Sequence, residues 1–147
     1  MTNAIDQTAH IALLKNMVLA MPMAQTLKLR FVRIEPGAVE LEIPVADALT
    51  YRPGVLQATA VFAAADFAAV ASAGTLLPPG FANATVDATL KLLAPARGTH
   101  LRAVGRVVRA GKTLTVCAAD VFAVHEAEQT LCATLLATAQ NIELKRL

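Results

Sequence analysis

Apolar residues recur at two different periods along this chain, and each change of period marks an element. Over residues 4–21, Ile5, His10 or Ile11, Leu13, Leu14, Met17, Val18 and Met21 fall at helical spacing, predicting an amphipathic helix that Pro22 closes. From Leu27 to Ile34 the period drops to two: Leu27, Leu29, Phe31 and Arg33 alternate with Lys28, Arg30, Val32 and Ile34. Pro36-Gly37 turns this strand into a second, Ala38 to Val45, where Val39, Leu41 and Ile43 alternate with Glu40 and Glu42. Residues 46–53 read as loop. Pro53-Gly54 then introduces the longest apolar stretch, an Ala-rich central helix predicted over 54–73 and stopped by Gly74 and Pro78-Pro79. Its apolar residues run all round, so it is buried on most sides.

Alternation returns in the second half. Val86, Ala88, Leu90 and Leu92 oppose Thr85, Asp87, Thr89 and Lys91, and a Pro-Gly connection over 94–98 follows. Strands are predicted at His100–Arg109, Leu114–His125 and Thr130–Ala139, with a tight turn at Ala110-Gly111-Lys112 and a polar tail from residue 140. Short turns force antiparallel neighbours. The expected architecture is α+β: one antiparallel sheet of about six strands wrapped around one long central helix, in a single domain over 1–147.

Composition adds one point to this picture. The chain is 56% hydrophobic with a mean hydropathy of +0.54, yet has no Trp and one Tyr. Such a surplus of small apolar side chains points to burial against another subunit. It does not point to a membrane, because the long apolar stretch is mainly Ala and is broken by Asp66. The N-terminal residues lack the pattern of a secretory signal, so a cytoplasmic setting is expected, with Cys117 and Cys132 as free core thiols. A net charge of +2 without a basic block argues against nucleic acid. No Cys or His lies near His10 at metal-ligand spacing, and His100 and His125 fit strand ends, so no metal is expected.

One residue breaks the pattern. Asp66 stands midway along the central helix, beyond the first turn where a carboxylate favours the helix dipole. A carboxylate in apolar surroundings is held partly in its protonated form, and such a group is basic enough to activate water.

Four segments, in order, resemble the hotdog-fold acyl-CoA thioesterases of the PaaI-like branch, over about residues 35–140. Gly54-Val-Leu-Gln57-Ala-Thr-Ala-Val-Phe62-Ala-Ala-Ala-Asp66 resembles Gly-x-x-His-Gly-Gly-x-x-Phe-x-Leu-Ala-Asp. Thr85-Val-Asp-Ala-Thr-Leu-Lys-Leu-Leu-Ala-Pro95-Ala-Arg-Gly98 resembles that family's strand and Pro-Ala-x-Gly segment. Ala103-Val-Gly105-Arg-Val-Val-Arg-Ala-Gly111-Lys112 and Thr130-Leu-Cys-Ala-Thr-Leu-Leu-Ala-Thr138 are similar to its next strand and turn and to its closing strand. The family's His is Gln57 here, its Gly-Gly pair is Ala58-Thr59, and Tyr51 stands where Asn or Gln is common.

The resemblance implies hydrolysis of an acyl-CoA thioester. Asp66 would be general base or nucleophile, the backbone at Ala58 and the Gln57 amide would polarise the carbonyl, and Thr85 would bond Asp66 or water. Tyr51 and Thr59 would line the substrate site. Arg97, Arg106, Arg109 and Lys112 are candidates to meet the phosphates of coenzyme A, itself part of the substrate, so that no further cofactor is implied. Gln57 and Asp66 are nine positions apart on one helix, ~13.5 Å of rise and half a turn out of phase. If both serve one site, it takes two chains, as in the family's dimers, or in a dimer of dimers. The alternative is a module of the same fold that binds acyl-CoA or acyl carrier protein without turnover. A hydratase would need a His at the helix start, where none stands.

Overall fold

A computed structural model describes residues 4–146. The predicted domain ends, at residues 1–3 and 147, lie outside the described residues, as does the side chain of Ile5. The elements are α1 (Ala4–Leu19), α2 (Pro22–Thr26), β1 (Arg30–Glu35), β2 (Ala38–Pro44), β3 (Thr50–Arg52), β4 (Val55–Leu56), α3 (Ala58–Gly74), β5 (Phe81–Leu92), β6 (His100–Ala110), β7 (Leu114–His125) and β8 (Glu128–Glu143). Six strands form one antiparallel sheet in the order β1-β2-β6-β7-β8-β5, with α3 against its inner face. This is the hotdog arrangement.

Several bounds differ from the pattern for identifiable reasons. The opening helix stops at Leu19, two residues short of the predicted end at 21, and Pro22 serves as the first residue of α2, a position where its missing N–H costs nothing. Residues 46–53 are not plain loop. A 3-10 turn over Asp47–Leu49 leads into β3, which pairs with β4. The central helix therefore starts at Ala58, because residues 54–56 are taken up by that hairpin and Gln57 caps the helix. At the other end of the chain, the predicted polar tail continues β8 to Glu143.

Strand parity is corrected twice by β-bulges. In β1, Val32 is the extra residue, so Phe31 and Ile34 both reach the core while Arg33 turns outward to Glu40. In β5 the extra residue is Val86, 54% exposed. Thr85 pairs with inward-facing Ala139 before the bulge, and Ala88 pairs with inward-facing Ala137 after it. Strict alternation would place Thr85 outside with Asp87. The bulge brings it inside.

Helix and sheet meet closely at one point. A Cβ on Gly105 of β6 would stand 2.1 Å from the Ala68 carbonyl oxygen of α3. Ala64, Ala65, Ala68 and Ala69 are fully buried along the same contact, and the absence of larger side chains there lets the helix backbone lie against the strands. Outward, charged residues cross three strands: Arg102 Nε lies 2.6 Å from Glu40, His100 Nε2 lies 3.5 Å from Glu42, and Arg30 bonds Glu42.

Candidate active site

The start of α3 is held by its neighbours. The Gln57 N–H donates to the Leu49 carbonyl at 2.9 Å, and the Leu56 N–H to the Ala96 carbonyl at 3.0 Å. Val55 bridges to Arg97, which brings that exposed residue to this end of the helix. Gln57 is the N-cap: its Oε1 accepts from the Thr59 N–H at 2.6 Å and also from the Thr59 hydroxyl. A cap of this kind satisfies one of the first-turn donors. The Ala58 N–H has no acceptor among the described residues and stays at the positive end of the helix dipole. Tyr51, 61% exposed, stands nearby with the Arg52 guanidinium 5.5 Å from its ring centre.

Asp66 lies two turns further along, half-buried. Its Oδ1 accepts from the Thr85 hydroxyl at 2.8 Å, and among the described residues no other donor bonds it. Burial pushes its pKa above the usual carboxylate value, and the Thr85 hydrogen bond offsets part of that rise. Both residues open onto a cleft of about 480 Å³ between α1, α3 and the start of β5. The lining beyond them is mostly apolar, and includes Leu13, Met17, Phe67 and Val70.

The structure thus brings Asp66 and Thr85 together, and separately gathers Tyr51, Gln57, Ala58, Thr59 and Arg97 at the helix start. It does not join the two groups within one chain, since none of the latter five borders the cleft. The remaining cations also lie apart. Arg106 and Arg109 are exposed on the outer sheet face, opposite Ala118 and Val116. Lys112 is in the β6–β7 turn, a strand of 11 residues away from the Arg97 end, or ~36 Å. One phosphate group cannot meet all four in a single chain.

The sequence reading missed the part played by α1. Its stripe was legible as an amphipathic helix, but among its described residues only Val18 is buried, while Leu13, Met17 and Met21 remain exposed and line the cleft. His10 is tied down, its Nε2 being 2.9 Å from the Gly74 carbonyl oxygen. Among the described residues, no three His, Cys, Asp or Glu side chains converge as a metal site would need. Cys117 and Cys132 are unpaired and buried, and burial pushes both thiols up to about 11, the Asp66 charge adding to the rise at Cys117.

Comparison with known families decides the class. The profile of the thioesterase superfamily matches residues 54–129, from the turn before α3 to the start of β8. The chain belongs to the thioesterase superfamily. Thioester hydrolysis is accordingly its general chemistry. A crystal structure of a thioesterase family protein from Silicibacter pomeroyi is 32% identical, with 88% of this chain and 96% of that one aligned and a TM-score of 0.86. A Haemophilus influenzae thioesterase shares the fold at 20% identity and a TM-score of 0.79, over 88% of this chain and 89% of the other. So does the Escherichia coli PaaI protein of the phenylacetic acid degradation operon, at 16% identity and 0.78 over 95% of each chain. No curated protein sequence matches. Among the described residues, no helix of this superfamily member is long and apolar enough to cross a membrane.

Proposed function

We propose that the protein is an acyl-CoA thioesterase of the cytoplasm, working as a homodimer that can pair into a dimer of dimers. Asp66 acts as general base on water, or itself attacks the thioester carbon. The observation that carries this reading is Asp66 itself: a carboxylate of raised pKa, fixed by Thr85 and opening onto an apolar cleft. With Oδ1 held by Thr85, Oδ2 is the oxygen left to face a reacting water.

The carbonyl needs donors where its oxygen becomes negative. The Ala58 N–H is a free donor of this kind, and the Gln57 amide, whose oxygen caps the helix, keeps its NH₂ group for the same oxygen. These lie about 12–13.5 Å along the axis from Asp66, so a second copy supplies them. Two features support the second copy: β5 is a sheet edge, and Val86, Leu92 and Leu93 on or beside it are exposed.

A thiol-release assay over short, long and aromatic acyl-CoAs tests the reading, with Asp66→Asn as control. General-base catalysis contributes about 10²–10⁴-fold, so the variant is expected to lose at least about 100-fold in kcat. Undiminished turnover would remove Asp66 from the role. The second reading, acyl-CoA or acyl carrier protein binding without turnover, is favoured by Gln57 and Ala58-Thr59 in place of His and Gly-Gly. Saturable binding with no thiol release would establish it.

A further inference from the structure

Beyond Asp66 the cleft is a groove along the helix. Phe67, Val70, Ala71 and Gly74 occupy successive turns of one face of α3 and form its floor. From Asp66 to Gly74 that face spans ~12 Å. The start of β5 is one wall, and α1, with Leu13 and Met17, is the other. Leu14 closes the far end, its Cδ1 3.1 Å from where a Cβ on Gly74 would stand. The polar side chains deep in the groove have partners within the chain: His10 Nε2 bonds the Gly74 carbonyl, and the Asn83 NH₂ donates to the Val70 carbonyl at 2.9 Å. Asp6 borders the groove from an exposed position. Between Asp66 and Leu14 a ligand meets mostly hydrocarbon.

We propose that this groove holds a straight aliphatic acyl chain and that α1 sets the chain length accepted. The proposal rests on the thioesterase reading for what carries the chain to Asp66. A chain starting at the carboxylate runs along α3 toward Gly74 and covers Leu13, which is 55% exposed without it. Apolar wall over more than two helix turns is longer than a single ring can cover, so an aromatic acyl group leaves much of it wet. Burial of each further methylene strengthens binding by about fourfold.

The chain has no Trp, so Leu13→Trp introduces a single reporter at the groove wall. That variant is titrated with S-alkyl thioethers of coenzyme A, butyl to dodecyl, which cannot be hydrolysed. The expected result is a blue-shifted emission and an affinity that climbs about fourfold per methylene, then levels off. Val70→Phe, which blocks the groove one turn past Asp66, brings the plateau to shorter chains. Wild-type protein titrated calorimetrically with the same thioethers gives the same length dependence whether or not either variant folds. Affinity independent of chain length overturns the proposal, as does an S-(2-phenylethyl) thioether binding as tightly as the octyl one. Length-dependent binding without thiol release from acyl-CoAs removes the catalytic reading alone. Thiol release with no length dependence removes the groove alone.

Discussion

The Thr85 hydroxyl donates to Asp66 Oδ1 at 2.8 Å, across the gap between an edge strand and the middle of the central helix. Their closeness depends on the Val86 bulge, which turns Thr85 inward without turning Ala88 outward. The bond holds the Asp66 pKa below the value that burial alone would set.

Thr85→Val keeps the shape and removes the donor. The Asp66 pKa then rises further, and the acid limb of the kcat/KM profile moves to higher pH. Activity falls most on the acid side and least on the alkaline side. A profile scaled down by one factor at every pH would show that Thr85 does not tune Asp66.

Ionised Asp66 costs stability, and the cost depends on pH in a definite sense. Its folded pKa is raised above 3.8, so between the two values the folded chain binds more protons than the unfolded chain. Stability therefore falls as pH rises through that interval. Asp66→Asn is expected to raise Tm at neutral pH and to leave it nearly unchanged near pH 3.5, below the unfolded value. Melting curves at the two pH values check this, and a larger gain in acid would contradict it.

Gly105→Ala drives a Cβ into the Ala68 carbonyl, backbone against backbone. The helix must lift off β6, at a cost of about 3 kcal/mol. Denaturant unfolding of the variant against wild type measures it, and a change within error would mean that helix and sheet can part without loss.

Gln57→Ala removes the cap on the Thr59 N–H and is expected to cost about 1 kcal/mol of stability. If the Gln57 NH₂ also donates to the substrate, kcat falls as well, by about 10²–10³-fold. Comparing Tm with kcat separates the two duties, since a cap alone leaves turnover intact at temperatures well below melting.

Both thiols are buried and shifted up to about 11. Native protein at pH 8 is therefore expected to leave Cys117 and Cys132 unlabelled by a disulfide reagent, and unfolded protein to label both. Fast labelling of native protein would place at least one of them at the surface.

The hydrophobic periods determined the α+β class and the single buried helix, because strand and helix geometry impose periods of two and 3.6 that apolar residues must follow, and the short turns between the strands made the sheet antiparallel. They also isolated Asp66, because a charge on an all-round apolar helix stands out against its neighbours. Tertiary structure decided what the period could not hold. A bulge inserts one residue and reverses the parity of everything after it, so the inward turn of Thr85 followed from the pairing of β5 with β8 and not from its place in the alternation. The helix start moved to Ala58 because residues 50–56 found partners in each other. Whether the stripe on α1 would be buried or left open as a groove wall depended on how that helix lies across α3, which the spacing of its own residues does not encode.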